Sequence, residues 1–186
     1  MRAAFKEWAV VVDALGRGAQ IIILRKGGIR EGRRGFEMQH AEFFLFPTQF
    51  HQQRELVLPT AQKRFDEIAP QFSPPTILRL EFLAKVVAWK QIDSLALAEK
   101  FRGQHIWRDE VIAERFDWGK NKNIFALAIR VFQLPRKIEL PMAASYGGCK
   151  SWIELAQEIE TDSARPVLSE DSFAQKLNKF QQAFLD

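Results

Sequence analysis

A run of cationic and glycine residues, Arg25 to Gly35, follows directly on an apolar stretch of this 186-residue chain. Glycine lets the backbone approach a ligand closely and can turn successive N–H groups towards an anion, while arginine and lysine supply charge. A plain hairpin turn also needs glycine, and neither the Walker pattern nor a G-x-G-x-x-G after a strand is present. The candidate residues for contacts to phosphate or base edges are Arg25, Lys26, Gly27, Gly28, Arg30, Arg33 and Arg34.

Positive charge is concentrated in this part of the chain. Between Arg17 and Arg34, six basic residues and one acid give a local net charge of +5, whereas the whole chain carries +4. Seven acids and three bases from Ser151 to Asp186 give −4. Such a local excess on an otherwise balanced protein favours a polyanionic partner, nucleic acid above all. The alternative interpretation is a solvated hairpin loop.

Histidine and carboxylate residues beyond the basic run raise the question of a metal. His40 and Glu42 could bind zinc or iron, but His51 lies nine residues further on and no H-E-x-x-H pattern is present. We therefore predict neither a metal nor a cofactor. The side chains in this segment could instead contact a base or another ligand group, so the candidate binding residues also include His40, Thr48, His51 and Gln52.

Cys149 is the candidate nucleophile. It follows two glycines at the predicted start of a helix, where a helix N-terminus lowers the pKa of a thiol. The alternative is an ordinary small buried residue. An enzyme that acts on nucleic acid or a nucleotide through His40, Glu42, His51 or Cys149 therefore stays open as a second function, and whether the protein is an enzyme is undecided.

Apolar periodicity predicts the elements that hold the basic run. Phe5–Leu15 has helical spacing, with Gly16 at its C-terminal end. The continuous apolar runs Ala19–Leu24 and Phe43–Phe46 predict two buried core strands that form a hairpin around the basic run. Pro47 is expected to end the second strand.

Further along, alternation and capping residues predict the remaining elements. The strands are expected at Leu78–Trp89 and Ile124–Phe132, with a short one at Leu56–Leu58. Helices are expected at Ala61–Ile68 with Thr60 as cap, at Ser94–Phe101 with Asp93 as cap, and within Trp107–Phe116.

Two helices are predicted near the C-terminus. Ser151 and Glu154 have the spacing of a capping box, which predicts a helix from Trp152 onwards. Ser169 is expected to cap a last helix with one apolar face, which is formed by Phe173, Leu177, Phe180 and Phe184. We expect this face to pack on the rest of the chain; a partner-binding helix, and thus a scaffold function, is the third hypothesis.

Length and composition limit the class of protein. With 47% hydrophobic and 27% charged residues, the chain is predicted to be one globular domain, 1–186, with helix 169–186 packed on it. One cysteine cannot form an internal disulfide, and no apolar run approaches the roughly 18 residues that span a bilayer. We expect a cytoplasmic protein without membrane partners; its oligomeric state stays open.

Several motifs resemble known families. A resemblance to an uncharacterised bacterial family, domain of unknown function 1802, rests on Phe5–Ala9, Leu24–Ile29, Phe44–Thr48 and His51-Gln52. It implies no activity. The segment Ala14–Arg25 is similar to the opening of the small PUA and ASCH β-barrels, although Ile23 stands where those barrels usually have glutamate. This second resemblance implies binding of RNA or a modified nucleotide in the barrel cleft.

These observations predict an α+β fold with a mixed or antiparallel, partly closed sheet, for which a small PUA-like barrel is one form, and flanking helices. The leading functional hypothesis is a nucleic-acid or nucleotide-binding module that uses the basic loop Arg25–Arg34 between two core strands.

Overall fold

The structure is a computed structural model that describes residues 1–26, 40–148 and 150–185, apart from the side chains of His51 and Gln52. Seven strands within these residues form one sheet. They are β1 (Ala3–Trp8), β2 (Ile22–Arg25), β3 (Glu42–Thr48), β4 (Ile77–Ile92), β5 (Ile124–Pro141), β6 (Trp152–Glu154) and β7 (Arg165–Pro166).

The sheet is mixed and curled into a half-barrel, which confirms the predicted α+β class and the partly closed sheet. Its strand order is β2-β5-β4-β3-β1-β6, and β7 pairs with β5. β1 and β3 are parallel, and the other pairs are antiparallel. The long β4–β5 ladder changes register between Leu80 and Phe82 and again between Val86 and Ala88. Such irregularities increase local bend and twist, which lets the sheet curl.

The predicted hairpin of the two core strands is wrong. β2 pairs with β5, whereas β3 pairs with β1 and β4. Both apolar runs contain a buried strand, as predicted, although β2 begins at Ile22 rather than at Ala19. A continuous apolar run carries no information about which strand lies beside it. The chain between Arg25 and Glu42 therefore connects strands that are separated in the sheet by two others, β5 and β4.

Five helices lie in the described residues: α1 (Ala9–Gly16), α2 (Pro59–Ile68), α3 (Leu95–Glu99), α4 (Asp109–Asp117) and α5 (Glu170–Gln182). The predicted first helix begins too early, because Ala3–Trp8 forms the strand β1, in which Ala4, Phe5 and Glu7 are buried. The helix itself accommodates Val10–Val12, since its apolar residues are buried on the sheet. Packing thus outweighs the low helix propensity of β-branched residues.

Several predicted boundaries are also wrong. Leu58, not Thr60, precedes the first turn of α2, which opens with Pro59. Ser94, not Asp93, caps α3, because its hydroxyl accepts the N–H of Leu97 at 3.2 Å. Pro47 does not end β3, since it lies inside the ladder opposite Glu7. The predicted strand at Leu56–Leu58 is reduced to a single bridge between Val57 and Trp107.

The predicted capping-box helix is wrong. Trp152–Glu154 is β6, an antiparallel neighbour of β1, and the N–H of Lys6 donates to the carbonyl of Ser151 at 2.8 Å. A capping box is a local signal, and pairing with the edge of the sheet overrides it here.

The last helix is present as predicted. Ser169 accepts the N–H of Ser172 at 3.2 Å, and Phe173 and Phe180 are buried. The ring of Phe180 lies 5.6 Å from that of Phe101, which follows α3. The apolar face of α5 therefore packs within the chain. None of the helices in the described residues is long and apolar enough to cross a membrane.

Candidate nucleic-acid interface

Arg25 lies at the end of β2, which is one edge strand of the sheet, and its side chain contacts residues near the opposite edge. Its guanidinium donates to the carbonyl of Lys6 in β1 at 3.4 Å and to the hydroxyl of Ser151, just before β6, at 2.7 Å. It also lies over the ring of Phe5, 4.9 Å from its centroid. A cationic side chain therefore bridges β2 to the opposite end of the curled sheet.

The carboxylate of Glu7 is fully buried beside this bridge. Its Oε1 accepts the N–H of Trp8 at 2.8 Å, and its Oε2 lies 3.5 Å from Nη1 of Arg25. Oε2 has no hydrogen-bond partner among the described residues. A buried carboxylate is stable only with cations near it, so Glu7 depends on the guanidinium groups around it.

Arg115, on α4, supplies a second guanidinium. It lies between two indole rings, 5.0 Å from the centroid of Trp8 and 4.7 Å from that of Trp107, and it donates to the carbonyl of Leu24 at 2.6 Å. Burial lowers the pKa of Arg115 to about 10, with Glu7 raising it and Arg25 lowering it further. The group is therefore still charged at neutral pH, and one buried carboxylate lies among two guanidinium cations.

Lys26 ties the end of β2 to the turn that follows α4. Its ammonium donates to the carbonyls of Phe116 at 3.0 Å and Asn123 at 2.9 Å, and also to that of Asn121. An ammonium has three N–H donors, so these bonds use all of them. Lys26 therefore adds positive charge here while bracing the turn, and a direct ligand contact would replace one of these bonds.

These residues surround an open pocket of about 310 Å³. Arg25, Lys26 and Arg115 line it together with the exposed acid Glu114 and with Trp118, whose exposed fraction is 75%. Cations and an accessible aromatic face are the two features that proteins combine to bind single-stranded nucleic acids.

The structure places the other predicted site residues in different surroundings. Thr48 donates its hydroxyl to the backbone carbonyl of Glu7 at 3.1 Å, on the strand beside β1. His40 is exposed, with its ring 5.1 Å from that of Trp152. Glu42 forms an ion pair with Lys85 at 2.8 Å, and the described residues contain no cluster of three or more His, Cys, Asp or Glu that could hold a metal ion.

The remaining candidates cannot be placed. Gly27, Gly28, Arg30, Arg33, Arg34 and Cys149 lie outside the described residues, as do the side chains of His51 and Gln52, whose backbone forms a short 3₁₀ helix. Because the helix predicted after Cys149 is a strand, the physical reason to expect a lowered thiol pKa at that residue is removed.

Sequence reasoning missed Glu7, Arg115 and Trp118. Glu7 was assigned to a helix, where an acid would lie on the polar face. In the strand, Phe5 and Glu7 share one face, and both are buried. An acid at an inward-facing strand position is the signal that could have identified Glu7, but it requires the strand to be recognised first.

A second pocket, of about 230 Å³, lies between α1, α2, β3 and β4. Its cations are already paired: Arg17 and Arg64 both bind Asp13, and Arg79 binds Glu139. Burial raises the pKa of Asp13, but the hydrogen bonds from Arg64 and Arg17 outweigh it and hold that pKa below its usual value. This pocket is less suited to a polyanion than the one at the end of β2.

The chain belongs to the family described as "Domain of unknown function (DUF1802)", whose model matches residues 4–179. No curated protein matches the sequence significantly. Among solved structures, the fold is similar to that of ASCH from Zymomonas mobilis, with 12% identity, a TM-score of 0.50, and coverage of 95% of this chain and 92% of that chain.

A point mutant of the same ASCH protein matches with 12% identity, a TM-score of 0.49 and 95% coverage of both chains. The wild-type match confirms the predicted likeness to ASCH-type barrels at the level of the fold.

Proposed function

We propose that this protein binds nucleic acid, or a nucleotide, through the positively charged surface around Arg25 and Lys26. The observation that carries the proposal is the pocket lined by Arg25, Lys26 and Arg115, with the buried carboxylate of Glu7 beside Arg25. Even with Glu7 and the lining acid Glu114 counted, three cations leave an excess of positive charge here. A phosphate oxygen would compensate that excess through charge-assisted hydrogen bonds.

Local charge in the sequence supports the same proposal. The residues that follow Lys26 include Arg30, Arg33 and Arg34, with one acid, Glu31, among them. Charge of one sign that is concentrated in one stretch raises the local concentration of an oppositely charged polymer and speeds its association. The ASCH-type fold is consistent with this proposal by analogy, which does not itself establish an activity.

The test is binding of RNA and DNA across a series of salt concentrations. Each phosphate contact releases condensed counterions, so the logarithm of affinity falls with log salt by about 0.7–0.9 per contact. Replacing Arg30, Arg33 and Arg34 together with Ala should weaken binding and reduce this slope by about two or three. The melting temperature should change little if these side chains are solvated.

A matched variant tests whether binding depends on the position of the removed charges or only on their number. Lys63 on α2, Arg136 on β5 and Lys179 on α5 are exposed cations without ion pairs in the described part of the chain. Replacing these three with Ala removes the same charge and should leave most of the slope intact. Equal slopes and affinities for the native chain and the Arg30, Arg33, Arg34 variant would refute the basic-loop proposal, as would an equal loss in both triple variants. Gly28→Val tests loop geometry at constant charge.

A further inference from the structure

Trp118 is the most exposed of the five tryptophans, all of which lie in the described residues. Its exposed fraction is 75%, against 43% for Trp89 and 0% for Trp107. A single exposed apolar side chain is ordinary on a protein surface. Trp118 differs because it lines the same pocket as the guanidinium groups of Arg25 and Arg115.

The turn that carries Trp118 is held in place from both sides. Lys26 donates to the carbonyls of Phe116 and Asn123, which lie on either side of the turn. Lys122 donates to the backbone carbonyl of Asp117 at 3.1 Å and to its carboxylate at 2.9 Å. The backbone of the turn is therefore held relative to the end of β2 before any ligand arrives, which reduces the entropy lost when the turn binds.

Lys120, two residues further along this turn, adds an available cation. Its side chain is exposed, and within the described residues it makes no hydrogen bond or ion pair. The turn 118–122 thus presents an aromatic face and an accessible ammonium next to a cationic pocket.

We propose that the turn 118–122 is a stacking platform that makes this surface selective for single-stranded nucleic acid over duplex. This inference rests on the proposed function and specifies the form of its ligand. An unstacked base would lie against the indole of Trp118, while the phosphates beside it contact Lys120 and the cations of the pocket. In a duplex both faces of each internal base are already covered, so the indole gains nothing there.

The test compares full-length native protein with Trp118→Ala, Trp118→Phe and Lys120→Met. The probes are an unstructured single-stranded RNA of about twelve nucleotides, a length within the usual range of site sizes, and the duplex of that strand with its complement. Trp118→Ala should weaken single-strand binding by about five- to a hundred-fold and leave duplex binding nearly unchanged. Trp118→Phe should recover much of the loss, because it restores an aromatic face.

Salt dependence separates stacking from charge. Trp118→Ala removes no charge, so its slope of log affinity against log salt should equal that of the native chain. Lys120→Met should reduce the single-strand slope by about 0.7, the value for one phosphate contact. Single-stranded RNA should also quench tryptophan emission of the native protein, and the quenching should be largely absent in Trp118→Ala.

Four outcomes would overturn the inference. An equal loss of single-strand and duplex binding in Trp118→Ala, or no loss of either, refutes the platform while leaving the proposed function standing. A change of sedimentation in Trp118→Ala with unaltered RNA binding would assign this residue to a protein interface. Failure of the native protein to bind any nucleic acid would refute the inference and the proposed function together. Because Trp118 and Lys120 are exposed, these variants should fold normally, and circular dichroism checks that.

Discussion

At the scale of single residues, the candidate interface contains an arginine whose burial is energetically unfavourable. The guanidinium of Arg115 lies between the indoles of Trp8 and Trp107, where water is largely replaced by aromatic carbon. Cation–π contacts of this kind contribute more when the cation is desolvated. Burial lowers the pKa of Arg115 to about 10 although Glu7 raises it, so desolvation outweighs the attraction of Glu7. Glu7 and Arg115 should therefore be energetically coupled.

We predict that Glu7→Gln lowers the free energy of unfolding by about 3–5 kcal/mol, the usual result of removing one partner from a buried ion pair. Glutamine can still accept the hydrogen bond from the N–H of Trp8, so the substitution measures the effect of the negative charge alone. Urea unfolding measures the loss. Glu114→Gln, an exposed acid at the same pocket, is the matched control and should stay within about 0.5 kcal/mol.

The coupling itself can be measured with a double variant. Adding Arg115→Met to Glu7→Gln removes the cation that Glu7 no longer compensates, so the pair of changes should cost less than the sum of the two single changes. Strictly additive losses would show that Glu7 and Arg115 do not interact.

At the scale of elements, strands and helices with their own strong periodicity were predictable from the sequence. β4, β5 and α5 were found because long apolar patterns and the Ser169 cap are local signals. β6 was missed because its three residues are held by the edge of β1 rather than by any pattern of their own. The same limit applied to the hairpin: each strand was identified, but its neighbour depends on contacts distant in sequence.

For the same reason, only some residues of the candidate site could be predicted from the sequence. Arg25 and Lys26 stand in a visible run of charge, so composition alone identified them. Glu7 comes from β1, whereas Arg115 and Trp118 come from α4 and the turn directly after it, and they meet Arg25 and Lys26 only after the sheet has curled. Their roles follow from tertiary position, which a single sequence without pairing information does not contain.

The last helix gives a direct test at this scale. Phe180 is 1% exposed and packs against Phe101 and Phe184, with ring centroids 5.6 and 5.3 Å away. Phe180→Ala should therefore cost about 3–5 kcal/mol, the usual loss for a truncated buried phenylalanine. Thermal and urea unfolding measure it. Gln181→Ala, on the exposed side of the same helix, should change stability by less than about 0.5 kcal/mol. An unchanged melting temperature in Phe180→Ala would contradict the packing of α5.

At the scale of the whole molecule, stability should depend on pH through a buried histidine. Burial lowers the pKa of His105 to about 4; Asp109 raises it, whereas Arg115 and Arg102 lower it. Its Nδ1 has no hydrogen-bond partner in the part of the chain that the structure describes. The folded protein thus keeps this imidazole neutral under conditions in which an unfolded chain would protonate it.

The direction of the effect follows from proton binding in the two states. Below about pH 6.5 the unfolded chain binds a proton at His105, whereas the folded protein does so only near pH 4. The unfolded state binds more protons in this window, so stability is complete above pH 6.5 and falls as the pH drops towards 4. The loss should approach roughly 3 kcal/mol, because each pKa unit corresponds to about 1.4 kcal/mol.

Urea unfolding at several pH values between 7 and 4 measures this loss of stability. His105→Leu removes the titrating group and should flatten the curve in this window. If His105→Leu loses stability on acidification as steeply as the native protein, the buried imidazole is not the group responsible.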